Sequence, residues 1–154
     1  MIRVFAALAF LLPLMLPTTL QAESTSTVEF LNSGAVLPAG KNMPFSEAVR
    51  VGNTIYLSGQ IGIVPGTLTL IEGGITPETQ QTMSNIKATL EAHNLSMNNI
   101  VKCTAMLADI SEWPKFNEVY RTFFTAPYPA RSAFGTSGLA MGARTEVECI
   151  AIDA

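Results

Sequence analysis

Two stretches decide how this chain is read: Pro129-Ala130-Arg131-Ser132, and Thr145-Glu146-Val147-Glu148-Cys149-Ile150-Ala151-Ile152. The second is an apolar, strand-like run that carries two carboxylates, and the first sets a guanidinium at the head of another run. Charges held in an apolar sheet are costly unless they are paired or answer a ligand. The combination predicts a polar pocket built on two closing strands, residues 131–136 and 144–154, joined by a Gly-rich connection.

Upstream, residues 111–124 read as a helix. Pro114 is tolerated in its first turn, and Trp113, Phe116, Val119, Tyr120 and Phe123 form its apolar face at helical spacing. Residues 100–110 read as a largely apolar strand. Before it, Thr76-Pro77-Glu78 reads as N-cap, first-turn proline and dipole-favoured acid. That helix carries the stripe Met83, Ile86 and Leu90 and stops near His93-Asn94, with Asn94 suited to a left-handed cap. Gly52-Asn53, between Val49/Val51 and Ile55-Tyr56-Leu57, is a two-residue hairpin turn. The order is strands, helix, strand, helix, strand, strand. It predicts an α+β domain with one mixed sheet and two helices on one face. The strand runs place apolar residues on both faces, so the second face needs a cover; a homo-oligomer packing sheet on sheet is expected.

Residues 1–22 read as a secretory signal: Arg3, an apolar run from Val4 to Leu16, and a small-residue end at Ala22. The run is shorter than the ~20 apolar residues of a membrane span. A periplasmic or secreted protein cleaved after Ala22 is expected, with residues 23–40 as a lead-in segment, frayed over 23–28, and 41–154 as one domain. A net charge of −3 without a basic cluster argues against nucleic acid. One histidine and two cysteines lack zinc-ligand spacing. Cys103 and Cys149 sit in strand-like runs and are read as two reduced core residues in preference to a bridge.

Taken together, Pro44-Phe45-Ser46-Glu47-Ala48, Val51-Gly52-Asn53, Leu57-Ser58-Gly59-Gln60-Ile61-Gly62, Asn85-Ile86, Val101-Lys102-Cys103-Thr104, Phe116-Asn117-Glu118-Val119-Tyr120, Pro129-Ala130-Arg131-Ser132 and Glu146-Val147-Glu148 resemble the RidA (YjgF) family over nearly the whole domain. The resemblance implies a RidA-like domain over 41–154 with a chorismate-mutase-like α+β fold, a homotrimer with clefts between subunits, and hydrolysis of reactive 2-imino acids or enamines to 2-keto acids and ammonia without a cofactor or metal. It implies that Arg131 binds a carboxylate and that Glu146 orients water. Ser58, Gly59 and Phe45 would line the cleft, with Asn117 and Tyr120 a polar pair beside it and Ala133 contributing backbone groups. Phe45 stands where many active members have tyrosine, and Ala133 where cysteine is common.

An imine carbon is already electrophilic, so positioning carries most of the chemistry. Arg131 fixing a carboxylate and Glu146 cycling as base and acid suffice. The competing readings are a non-catalytic trimer that binds small carboxylates and a chaperone-like interaction protein. In the plainer readings of the residues, Arg131 and Glu146 form an interface ion pair that fixes trimer register, and the Ser58 hydroxyl has only structural duties.

Overall fold

A computed structural model describes residues 27–37 and 43–154. The expected leader, residues 1–22, and positions 23–26 and 38–40 of the expected lead-in lie outside the described residues. The elements are β1 (Val28–Leu31), β2 (Ala48–Val51), β3 (Thr54–Leu57), β4 (Gln60–Ile61), α1 (Ile75–Ala92), β5 (Ile100–Leu107), α2 (Trp113–Tyr120), β6 (Ala130–Gly135) and β7 (Thr145–Ile152). One sheet runs in the order β1-β2-β3-β7-β5-β6, with β4 also paired to β7. The β5–β6 pair is parallel and the other pairs are antiparallel. The expected mixed sheet with both helices on one face is therefore the fold that forms.

Strand parity sorts the side chains. Ile55 and Leu57 of β3, Cys103, Ala105 and Leu107 of β5, and Val147, Cys149 and Ala151 of β7 are buried in one cluster with Met83, Ile86, Leu90, Phe116 and Tyr120 of the helices. The intervening residues point to the opposite face, because successive strand side chains alternate. That face carries Phe30 (72% exposed), Tyr56 (49%) and Phe134 (47%).

Four local expectations are corrected. Cys103 and Cys149 are direct cross-strand partners, with Cα atoms 4.1 Å apart, and they are bonded to each other; the register of β5 on β7, invisible in the sequence, brings them together. Residues 28–31 of the presumed lead-in form an edge strand, Phe30 opposite Val49. The following turn is clasped by the buried Glu47 carboxylate, which accepts from Ser33 N (2.8 Å), Ser33 Oγ (2.6 Å) and Gly34 N (3.0 Å). Helix α1 starts at Ile75, with Gly74 at the cap position (φ 87°) and no side-chain cap, so Thr76 is not the N-cap. Glu78 turns inward instead and accepts from the backbone N–H groups of Arg144 (2.6 Å) and Thr145 (3.2 Å). The second predicted helix is α2 flanked by short 3-10 turns at Ile110–Glu112 and Arg121–Phe123.

Other local readings hold. Val51 faces Thr54 across the Gly52-Asn53 turn, and Asn94 takes a left-handed φ of 60°.

Candidate functional site

The candidate residues form two groups, not one. The first gathers on edge strand β6 and helix α2. Arg131 pairs in register with Cys103, so its side chain leaves the sheet on the helix side. There Asn117 and Tyr120, three residues apart on one helical face, meet it. Arg131 Nη2 donates to Asn117 Oδ1 at 2.8 Å. The guanidinium carbon lies 4.5 Å from the Tyr120 ring centre and 5.8 Å from those of Trp113 and Phe116.

This setting stabilises a cation without neutralising it. Among the described residues no carboxylate lies within ion-pairing distance of Arg131. The Tyr120 hydroxyl is buried and has no hydrogen-bond partner. Burial pushes its phenol up to about 12, with Arg131 pulling the other way, so it remains a hydrogen-bond donor at neutral pH. A cleft of about 360 Å³ opens over Asn117, Tyr120, Tyr128, Pro129 and Arg131. Ala133 follows two residues beyond Arg131 on the same side of β6, opposite Ala105.

The second group surrounds Glu146. Glu146 pairs with Ile61 on one side and Met106 on the other, so it projects from the open sheet face. Burial, and behind it the Glu148 carboxylate, raise its carboxyl above the ordinary range. The carboxylate lies against Gly59, where an added Cβ would collide with it. A cavity of about 390 Å³ is lined by Phe45, Ser58, Gly59, Glu146 and Met141, among others. The Ser58 hydroxyl donates to the Ser46 carbonyl at 2.7 Å, which supports the plainer structural reading of that side chain.

Arg131 and Glu146 thus do not meet within one chain. Within one chain they lie at two separate sites on opposite faces of the sheet. Residues not singled out from sequence as cavity lining include Met141, which holds a left-handed φ of 59°, rare for a side chain other than glycine. Its position within the Gly-rich connection, next to Gly142, was the one local signal of unusual backbone there.

Known proteins resemble this chain over most of its length. A family model described as "Endoribonuclease L-PSP" matches residues 38–153. A "2-iminobutanoate/2-iminopropanoate deaminase" of Bos taurus is 40% identical over 128 residues, covering 83% of this chain and 93% of that protein. The crystal structure of RidA from an Antarctic Psychrobacter superposes with a TM-score of 0.74 at 38% identity, covering 81% of this chain and 99% of that one. Escherichia coli TdcF, solved with bound serine, gives 0.74 at 27% identity over 82% and 99%.

Proposed function

The chain belongs to the endoribonuclease L-PSP (RidA) family, and from that membership and its two half-sites we propose that it hydrolyses reactive 2-imino acids and their enamine tautomers to 2-keto acids and ammonia. The observation that carries this is Arg131: a guanidinium caged by aromatic rings, oriented by Asn117, facing a cleft, with no acidic partner among the described residues. Its planar fork suits two-point grip of an α-carboxylate.

In this reading the copies assemble as a trimer through the apolar open face, so that one copy's Glu146 cavity meets the next copy's Arg131 cleft. Water adds to the imine carbon while Glu146 takes its proton, and the C=N π pair moves to nitrogen. That proton passes to nitrogen to give the carbinolamine; Glu146 then takes the carbinolamine hydroxyl proton and delivers it to the amine nitrogen, the C–N bond breaks, and the oxygen electron pair closes the C=O as ammonia leaves. The raised Glu146 carboxyl fits a group that both accepts and returns a proton. These residues carry the whole proposed step, and it calls on no cofactor.

The disulfide and the leader-like residues 1–22 support an exported location, since bridges persist in oxidising compartments. The lack of a hydroxyl at Phe45 favours one alternative, a trimer that binds small carboxylates without turnover. Both are tested by generating 2-iminopropanoate with an amino-acid oxidase and following keto-acid release. Acceleration abolished by Arg131→Ala supports the deaminase; binding of pyruvate without acceleration supports the alternative.

A further inference from the structure

Glu146 can serve water only if its carboxylate is well placed, since an error of about 1 Å in a reacting group costs on the order of a hundredfold. Its position in the sheet does not secure that alone. It is the second residue of β7, it follows a connection containing the left-handed Met141 and Gly142, and on one side it pairs with β4, a strand of two residues. Local opening is easiest where few bonds hold the backbone.

Helix α1 supplies the missing hold. Glu78, 4% exposed, accepts from the N–H groups of Arg144 (2.6 Å) and Thr145 (3.2 Å), the two residues just before Glu146. Seven residues on, and so on the same helix face, the buried Asn85 donates to the carbonyls of Ile61 (3.0 Å) and Ile63 (2.8 Å). Ile61 is the residue that faces Glu146 across the β4–β7 pair. Between these two grips the Glu78 stem packs on Gly62, where an added Cβ would collide with it. One helix therefore clamps both strands that flank Glu146, from the side opposite its cavity.

We propose that Glu78 is a positioning residue for the reaction: through the main chain of Arg144 and Thr145, with Asn85 holding the other flank, it fixes where the Glu146 carboxylate stands. The inference rests on the deaminase reading above and deepens it. A helix-start role does not account for Glu78, because a capping acid bonds its own helix's N–H groups and this one directs its bonds to another element. Nor does it belong to an ion pair among the described residues. Burying a carboxylate without a cation is costly unless hydrogen bonds answer it, and the answering donors stand at the head of β7. The raised carboxyl of Glu146 comes chiefly from burial, so it reports on position. Once the head of β7 loosens, the group gains water and its titration falls toward the ordinary range.

The test uses variants of the full-length oligomer. Glu78→Met fills the same slot but offers the two N–H groups no oxygen, and Glu78→Gln keeps an oxygen that accepts from both. Gly62→Ala pushes the Glu78 stem aside without removing it. In Glu78→Met, kcat should fall on the order of a hundredfold, while calorimetry gives pyruvate its wild-type affinity, because the Arg131 cleft lies on the other face. Glu78→Gln should restore most of the rate. The titration midpoint of Glu146, followed by NMR of carbon-13 carboxyl-labelled glutamate and assigned with Glu146→Gln, should drop in Glu78→Met and hold in Glu78→Gln. Gly62→Ala should show the same losses as Glu78→Met, and stands in for it if that variant does not fold. A midpoint that stays at the wild-type value overturns the inference and leaves the deaminase reading standing. Loss of rate together with loss of pyruvate binding assigns Glu78 to general stability and overturns it as well. If the wild type turns over no imine, the deaminase reading fails, and the midpoints alone decide: a drop keeps Glu78 as the group that places Glu146, and no change ends the assignment.

Discussion

Arg131 and Glu146 lie on opposite faces of one sheet, on strands separated by β5. Arg131 stands level with Cys103 and Cys149, and Glu146 level with Met106 and Phe134. Two strand spacings and three residues of offset put their backbones about 10 Å apart in each direction, with the side chains diverging. A water held between these two groups needs a second copy of the chain, and the apolar open face supplies the surface on which one could pack.

Arg131→Ala should lower kcat/KM by on the order of a hundredfold, the worth of charge-assisted hydrogen bonds to a carboxylate. Arg131→Lys should recover only part of this, since an ammonium cannot grip both oxygens in one plane. Because Arg131 has no ion-pair partner among the described residues, the melting temperature of either variant should stay within about 5 °C of wild type. A much larger drop, together with loss of the oligomer, would instead assign Arg131 to fixing subunit register.

Gly59→Ala tests the contact between the cavity floor and the carboxylate. Its new methyl group displaces the Glu146 side chain, and misplacing a reacting group by about 1 Å costs on the order of a hundredfold. Steady-state kinetics should show that loss in kcat with the fold intact by circular dichroism. An active Gly59→Ala enzyme would remove Glu146 from the chemistry.

Glu146 also sets a pH dependence. With its carboxyl raised above the ordinary 4.5, chiefly by burial, folding favours the protonated form. That contribution is full below about the ordinary value and is lost as pH rises through the folded one. Glu146→Gln, which mimics the protonated group, should therefore be more stable than wild type at neutral pH and lose that advantage in acid. The same titration should appear as a rising limb of wild-type kcat/KM, displaced upward from the ordinary carboxylate range. Melting curves and rate profiles over pH 3–8 check both. A Glu146→Gln protein that is the less stable of the two at neutral pH would contradict the assignment.

The bridge between Cys103 and Cys149 closes a long loop, with the two residues 46 apart. On the chain-entropy account it contributes about 3–4 kcal/mol. Reduction, or replacement of both cysteines by alanine, should lower the melting temperature by about 10 °C. Unchanged melting on reduction would return the pair to the status of plain core thiols. The protein recovered from its native compartment should carry this bridge and begin at Glu23, as mass spectrometry of the intact chain would show.

Much of this fold was legible because its signals are local. Met83, Ile86 and Leu90 recur at helical spacing, Gly52-Asn53 specifies a turn, and Asn117 and Tyr120 share a helix face by arithmetic alone. What failed depends on pairing between distant strands. Whether Arg131 and Glu146 share a face is set by the registers of β6 on β5 and of β5 on β7, which no single strand encodes. The same registers join Cys103 to Cys149. Strand β1 was missed because four residues beside a Ser/Thr-rich stretch carry little pattern of their own. Thr76 matched a cap motif, yet burial of Glu78 against the start of β7 drew the helix back to Ile75.

The central claim is that each working site is shared between copies, and subunit mixing tests it most directly. Arg131→Ala and Glu146→Gln chains, each inactive alone, would be refolded together and assayed on an imine substrate. In a closed ring of three with head-to-tail contacts, random mixing makes about three-quarters of the trimers mixed, each with one fully intact site in three. Recovery of about a quarter of wild-type activity is the predicted result. Activity that stays at background, in oligomers shown by mass spectrometry to contain both chains, would contradict it.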